Sequence, residues 1–207
     1  MDIDLRIKSI MEKIEKLSGK KLEYSCGKFP PEWDKPFSEE RVARFEQKNG
    51  IKLPEDYRRF ITTVAGSGTQ PFYGLLSIFD QAETDVSKKF IFTIDNPLDI
   101  YELSDEEYEK FDESEAFAGF IFLCHEGCGM YSILVVNSDD KDTYGTVWYF
   151  DLANDGGVFP LFNPVNNKTM DFLDWLEYYA DRTSGLGEDD FFGYAELTMP
   201  SEENQEE

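Results

Sequence analysis

Histidine is nearly absent from this chain: His125 is the only one in 207 residues. That alone excludes a His-rich metal site and any chemistry that needs two imidazoles. Cysteine is scarce as well. Cys26, Cys124 and Cys128 make a poor disulfide framework and fit free thiols in a reducing compartment. No apolar run approaches the length of a membrane span, and the opening Met1-Asp2-Ile3-Asp4 lacks the basic segment and apolar stretch of a secretory signal. A cytoplasmic protein is therefore expected. Positive charge is the largest deficit. Twenty Lys and Arg stand against 43 Asp and Glu, a net charge of −23. Phosphate backbones and anionic membrane surfaces are repelled by such a chain, so neither nucleic acid nor membrane is an expected partner. Two readings of the charge stay open: a solvated surface that keeps the protein soluble, or a field that draws in a basic partner and raises association rates by roughly 10 to 10³.

Aromatic residues are abundant: 18 Phe, 11 Tyr and 3 Trp. A chain of this length suits one domain with appendages, burying roughly 70% of its unfolded surface without help from disulfides or metals. The stretch from Gly119 to Asp151 organises the rest. It holds three strand-length runs, Phe120-Ile121-Phe122-Leu123-Cys124, residues 131–136 and Thr146-Val147-Trp148-Tyr149-Phe150. None alternates cleanly with polar residues, which suits strands covered on both faces. The connections are too short for parallel crossovers, so the strands form an antiparallel meander at the centre of a sheet.

Around it lie helices. Ile3, Ile7, Ile10, Ile14 and Leu17 mark one face of an amphipathic helix that docks on the body, with Gly19 as its stop. Residues 20–36 read as a loop. Ser38 caps a second helix, stapled by Phe37 and Val42 and closed at Asn49-Gly50. A third opens with Pro54 at its first position and buries Tyr57, Phe60, Ile61 and Val64. Gly66-Ser67-Gly68 reads as a turn rather than a phosphate loop, since no Gly-Lys-Ser/Thr follows. Residues 72–79 are expected to enter the sheet as a strand. Residues 80–118 read as an acidic insertion, with ten acids and one base, Lys110, between Asp95 and Ala118; a Ser104/Glu107 capping box predicts a helix over 105–112. A turn at Asn154-Asp155-Gly156-Gly157 follows the meander. Thr169 is expected to cap a closing helix facing inward through Phe172, Leu173, Leu176, Tyr179 and Ala180. Phe191, Phe192 and Tyr194 can pack back on the body, and residues 201–207 are expected to be disordered.

Little of this points to catalysis. Cys124-His125-Glu126-Gly127-Cys128 is the one local cluster of reactive types. A structural zinc site wants a second ligand pair, and neighbours on a strand face opposite ways, so Cys124 and His125 make a poor nucleophile and base. Asp139, Asp140 and Asp142 fail the calcium-loop pattern, because Lys141 and Asp142 stand where an acid or Asn and a Gly are needed. A carboxylate pair of the glycosidase kind stays a weak alternative, with nothing to single out two acids. No cofactor and no metal are expected.

The run Ile51-Lys52-Leu53-Pro54-Glu55-Asp56-Tyr57-Arg58-Arg59-Phe60 resembles the helical signature of the SUKH superfamily, which includes the fungal cell-wall-synthesis regulators. Gly127-Cys128-Gly129, followed by Leu134-Val135-Val136-Asn137 and Val147-Trp148, is similar to its bacterial branch, and Thr169 to Tyr179 resembles its closing helix. The resemblance covers roughly residues 35–182; the acidic insertion, the N-terminal helix and the acidic tail depart from it. It implies a single α+β domain with a central antiparallel sheet and packed helices. In that organisation residues 1–19 form the N-terminal helix, 20–183 the domain with its insertion at about 80–118, and 184–207 the acidic tail. The resemblance also implies no enzymatic activity, and an immunity role: binding and neutralising a polymorphic or contact-dependent toxin domain. Many such toxins are nucleases or deaminases with basic clefts. The acids expected to meet a basic partner are Glu126, Asp139, Asp140, Asp142, Asp151 and Asp155 near the meander, with Glu106 and Glu109 of the insertion. A regulatory scaffold domain is the alternative. Monomer and homodimer both stay open, since an exposed sheet edge permits pairing.

Overall fold

Three of the strands fall where the apolar runs place them. In the computed structural model, which describes residues 2–22, 29–81, 84–111 and 116–200, β2 (Phe120–Gly127), β3 (Met130–Val135) and β4 (Val147–Asp151) form an antiparallel meander. The turn from β2 to β3 is only Cys128-Gly129, with φ of +50° and +83°. Two consecutive positive φ values match the right-handed twist of a tight hairpin. Two strands escaped the sequence. β5 (Gly157–Pro160) pairs with β4, and the two-residue β1 (Leu98–Asp99) pairs with β5, giving the order β1-β5-β4-β3-β2. β2 is thus an outer strand of the sheet rather than its centre.

Both faces of the sheet are covered, which explains the unbroken apolar runs. Leu134, Val136, Val147 and Tyr149 face one core, shared with the helices. Ile133, Val135, Trp148, Phe150 and Val158 face a second. A bulge between Phe122 and Cys124 lets Leu123 and Cys124 both turn to the helical side.

The helical layer comprises α1 (Ile3–Glu15), α2 (Glu39–Asn49), α3 (Glu55–Thr63) and α5 (Phe172–Gly185). The α1 stripe is buried as its spacing requires, through Ile7, Ile10, Ile14 and Leu17, and α1 is clamped to α5 where Arg6 meets Asp171 and Asp174 and Lys13 meets Glu177 and Asp181. Ser38 caps α2, and Gly50, at φ +66°, closes it. Pro54 stands one place earlier than expected: it precedes α3 in an extended conformation instead of beginning it. Thr169 does not cap α5. Asp171 does, in a reciprocal box with Asp174, because a carboxylate three residues on completes the exchange that Thr169 lacks. Residues 186–200 return over this face and bury Leu186, Phe192, Tyr194 and Leu197.

Residues 72–79 do not form a strand. Phe72 and Gly74 take φ of +49° and +115°, which breaks any extended run. The segment instead touches the outer edge of β2 through isolated bonds, Leu76 N to Leu123 O at 2.7 Å and Tyr73 N to His125 O at 3.2 Å. Gln81 completes the cover, its side chain accepting from Phe122 N and donating to Phe122 O. On the other side the sheet ends in β1, only two residues long, and so short an edge strand offers little for the pairing that an exposed edge invites.

The insertion is more than a solvated loop. Phe90, Phe92, Leu98, Ile100 and Ala116 supply its side of the second core, with Phe90 edge-on to Trp148 at 5.0 Å between centroids. Gly119 permits the close approach: at φ +77°, a Cβ there would stand 2.1 Å from Phe90 N. The boxed helix is present as α4 (Asp105–Lys110). Cys26 and residues 201–207 lie outside the described residues.

Candidate functional site

The eight acids expected to face a partner do not form one patch. Asp139, Asp140 and Asp142 sit in the loop from β3 to β4; Asp151 and Asp155 lie at the opposite end of β4, roughly 13 Å away along the strand. Glu106 and Glu109 lie on α4, tied to the Asp155 end where the Tyr101 hydroxyl donates to Asn154 O at 3.2 Å.

Two of the eight are interior. Glu126 is 5% exposed. Its Oε1 accepts from Ser132 Oγ at 2.6 Å and its Oε2 from Tyr194 N at 3.1 Å, while Trp175 Nε1 donates to the same Ser132 oxygen at 3.0 Å and Tyr194 OH to Trp175 O at 2.8 Å. A second bulge between His125 and Gly127 accompanies this inward turn. Burial pushes its carboxyl up to about 7. Asp151 is 9% exposed, its Oδ1 accepting from Asn154 N and Nδ2, a role in shaping the turn into β5. Both are withdrawn from any partner-facing set. Asp140 spends its carboxylate on Asp142 N and Thr143 Oγ1, and Asp139 pairs with Lys89 at 2.8 Å. Glu106 pairs with Lys110 four residues on.

The Cys124 to Cys128 cluster has no catalytic arrangement. Cys124 is fully buried, and burial holds its thiol well above the ordinary range, the opposite of an activated nucleophile. His125 turns to the other face, between Tyr73 and Tyr131, and its Nε2 accepts from Gly129 N. Cys128 is exposed. Among the described residues no three His, Cys, Asp or Glu converge as metal ligands would.

The Ile51 to Phe60 signature has structural work. Buried Glu46 accepts from Leu53 N at 2.9 Å and pairs with Arg58, locking α2 to the entry of α3. Asp56 accepts from Leu173 N at 3.2 Å, joining α3 to the start of α5. Burial, with Asp171 nearby, pushes Asp56 up to about 6. The groove beside it, lined by Arg6, Pro54, Asp56, Tyr144, Asp171 and Leu173 among others, is where helix ends meet, and Arg6 and Asp171 are paired there.

Charge is distributed unequally. Residues 1–59, which hold α1, α2 and most of α3, carry 14 Lys and Arg against 12 Asp and Glu; residues 60–207 carry 6 against 31. Several of the helical bases are consumed in pairs, Arg58 with Glu39 and Glu46, Arg59 with Asp4, and Arg6 and Lys13 of α1 with acids of α5 and its cap. The excess of acid therefore belongs to the sheet, the insertion and the C-terminal segment. Two residues that the sequence reading passed over stand within it: Tyr101 and Tyr108, 76% and 52% exposed. Their signal was aromatic residues interleaved with acids and outside any apolar period.

No helix among the described residues is long and apolar enough to cross a membrane. In comparison with known proteins, residues 36–178 match the family model described as SMI1 / KNR4 family (SUKH-1). No curated protein and no solved structure matches the chain.

Proposed function

Because this chain belongs to the SMI1 / KNR4 family (SUKH-1), we propose that it is an immunity protein, one that binds a basic toxin domain of the nuclease type and blocks its substrate cleft. The family as a whole is consistent with non-catalytic immunity or regulatory roles. One observation carries the choice between them: the net charge of −23, concentrated after residue 59 with 31 acids against 6 bases. A cleft built to hold phosphates is lined with cations, and an acidic protein of complementary shape occupies it by presenting the charge of the substrate. A contact of ordinary size, roughly 800 Å² per partner, suffices for a stable complex.

The chemistry inside the molecule supports a binding rather than a catalytic role. Two buried carboxylates of the meander, Glu126 and Asp151, are held by Ser132, Tyr194 and Asn154, which commits them to the fold. The test is co-expression in a heterologous host with the C-terminal domain of the toxin gene adjacent to this chain's own gene. Rescue of growth is the expected result. Unrelieved toxicity, with both proteins present and folded, overturns the proposal; binding without rescue favours a regulatory role instead.

A further inference from the structure

Ten residues, 101–110, leave the body between two apolar anchors. Ile100 is buried in the second core and Phe111 packs partly against it, with Leu103 the one residue of the stretch that also touches that core. Between the anchors, α4 buries no residue at all. A six-residue helix has almost no stability of its own, and this one is kept by local devices. Ser104 and Glu107 exchange both bonds of a capping box, and Lys110 pairs back to Glu106. The result is a helix whose six residues all stay exposed among the described residues.

What it presents is specific in chemistry. The Tyr101 ring stands 76% exposed while its hydroxyl is already fixed on Asn154 O, and Tyr108 stands 52% exposed on the helix. Glu102, Asp105 and Glu109 are exposed and have no partner among the described residues. Tyrosine faces attract guanidinium groups at close range, and carboxylates accept them in bidentate pairs. Side chains with two rotatable bonds also lose little freedom on being covered. A second copy of the chain would bring like charge to like.

We propose that residues 101–110 are the docking surface for an arginine-rich face of a partner protein, with Tyr101 and Tyr108 as anchors and Glu102, Asp105 and Glu109 as the steering charges. This rests on the immunity reading and specifies which face performs it.

The test measures association and dissociation rates against the adjacent-gene toxin domain for the unaltered chain and four variants. Y101A/Y108A is expected to weaken binding at least 30-fold, mostly through faster dissociation, since truncated anchors act on the lifetime of a complex. E102Q/D105N/E109Q is expected to slow association about tenfold at low salt and leave dissociation within threefold. Y101F/Y108F keeps both rings and should bind within threefold of the unaltered chain, which separates lost contact from lost fold. L5A/V165A, exposed positions outside this excursion, should also bind normally. Binding by Y101A/Y108A within threefold of the unaltered chain overturns this assignment and leaves the immunity reading standing. So does an equal loss in L5A/V165A. Failure of the unaltered chain to bind the domain removes the immunity reading and this one with it.

Discussion

Replacing Glu126 by Gln isolates the one buried carboxylate that ties β2 and β3 to α5 and the C-terminal segment. Burial raises its carboxyl from 4.5 to about 7 in the folded chain. Below pH 4.5 both folded and unfolded states hold the proton, and the site contributes nothing adverse. As the pH climbs from 4.5 towards 7, the unfolded state ionises freely while the folded state resists, so stability is progressively lost; above 7 the loss is complete. A difference of about 2.5 pH units corresponds to about 3 kcal/mol. Glutamine has the same shape and does not titrate. The stability of E126Q relative to the unaltered protein should therefore improve by about 3 kcal/mol between pH 4.5 and 8.5. Asp56, raised to about 6, titrates identically in both proteins and cancels in the difference. Urea unfolding followed by the fluorescence of the buried Trp148 and Trp175, at pH 5, 6, 7 and 8, reads this directly. A difference that stays constant within about 0.5 kcal/mol across that range refutes the placement of an ionisable group in the Ser132–Trp175–Tyr194 network.

Other consequences are as direct. G119A forces a Cβ to 2.1 Å from Phe90 N and 2.7 Å from Asn137 O at φ +77°, so it should destabilise the chain by about 3 kcal/mol or more, read as a lower urea midpoint. R6A removes the pairings to Asp171, Asp174 and Glu177 that hold α1 on α5; because the Arg6 side chain is mostly covered, a loss of about 1–2 kcal/mol is expected, visible as a lower melting temperature. In a Cys26→Ser background, a thiol reagent should titrate the exposed Cys128 in the native protein and reach the buried Cys124 only after denaturant is added.

Much of the fold was legible because several elements obey a single periodicity. The stripe of α1 and the inward residues of α5 are buried as their spacing demands, and the β2 to β4 runs read as doubly covered strands because they lie between two cores. What escaped depends on partners far along the chain. Val158 and Phe159, bracketed by glycines and Pro160, carry too little pattern to announce β5, and Leu98 joins the sheet only because Val158 is there to receive it. The apolar-rich run 72–79 promised a strand that the positive φ of Phe72 and Gly74 forbids. Glu126 looked like a surface acid, because nothing nearby in sequence discloses Tyr194, 68 residues on, as its partner. The excess of acid was plain from composition; the exposure of Tyr101 and Tyr108 among those acids was not, since an exposed tyrosine is indistinguishable from a core tyrosine until the core is built.

The central claim, that this chain acts by lodging its anionic side in a cationic cleft, is tested most directly by the rate of association with the adjacent-gene toxin domain across ionic strength. Screening over about 10 Å at 0.1 M salt, shrinking to about 3 Å at 1 M, should slow association at least tenfold between 0.05 and 0.5 M while dissociation changes little. A rate indifferent to salt contradicts the account.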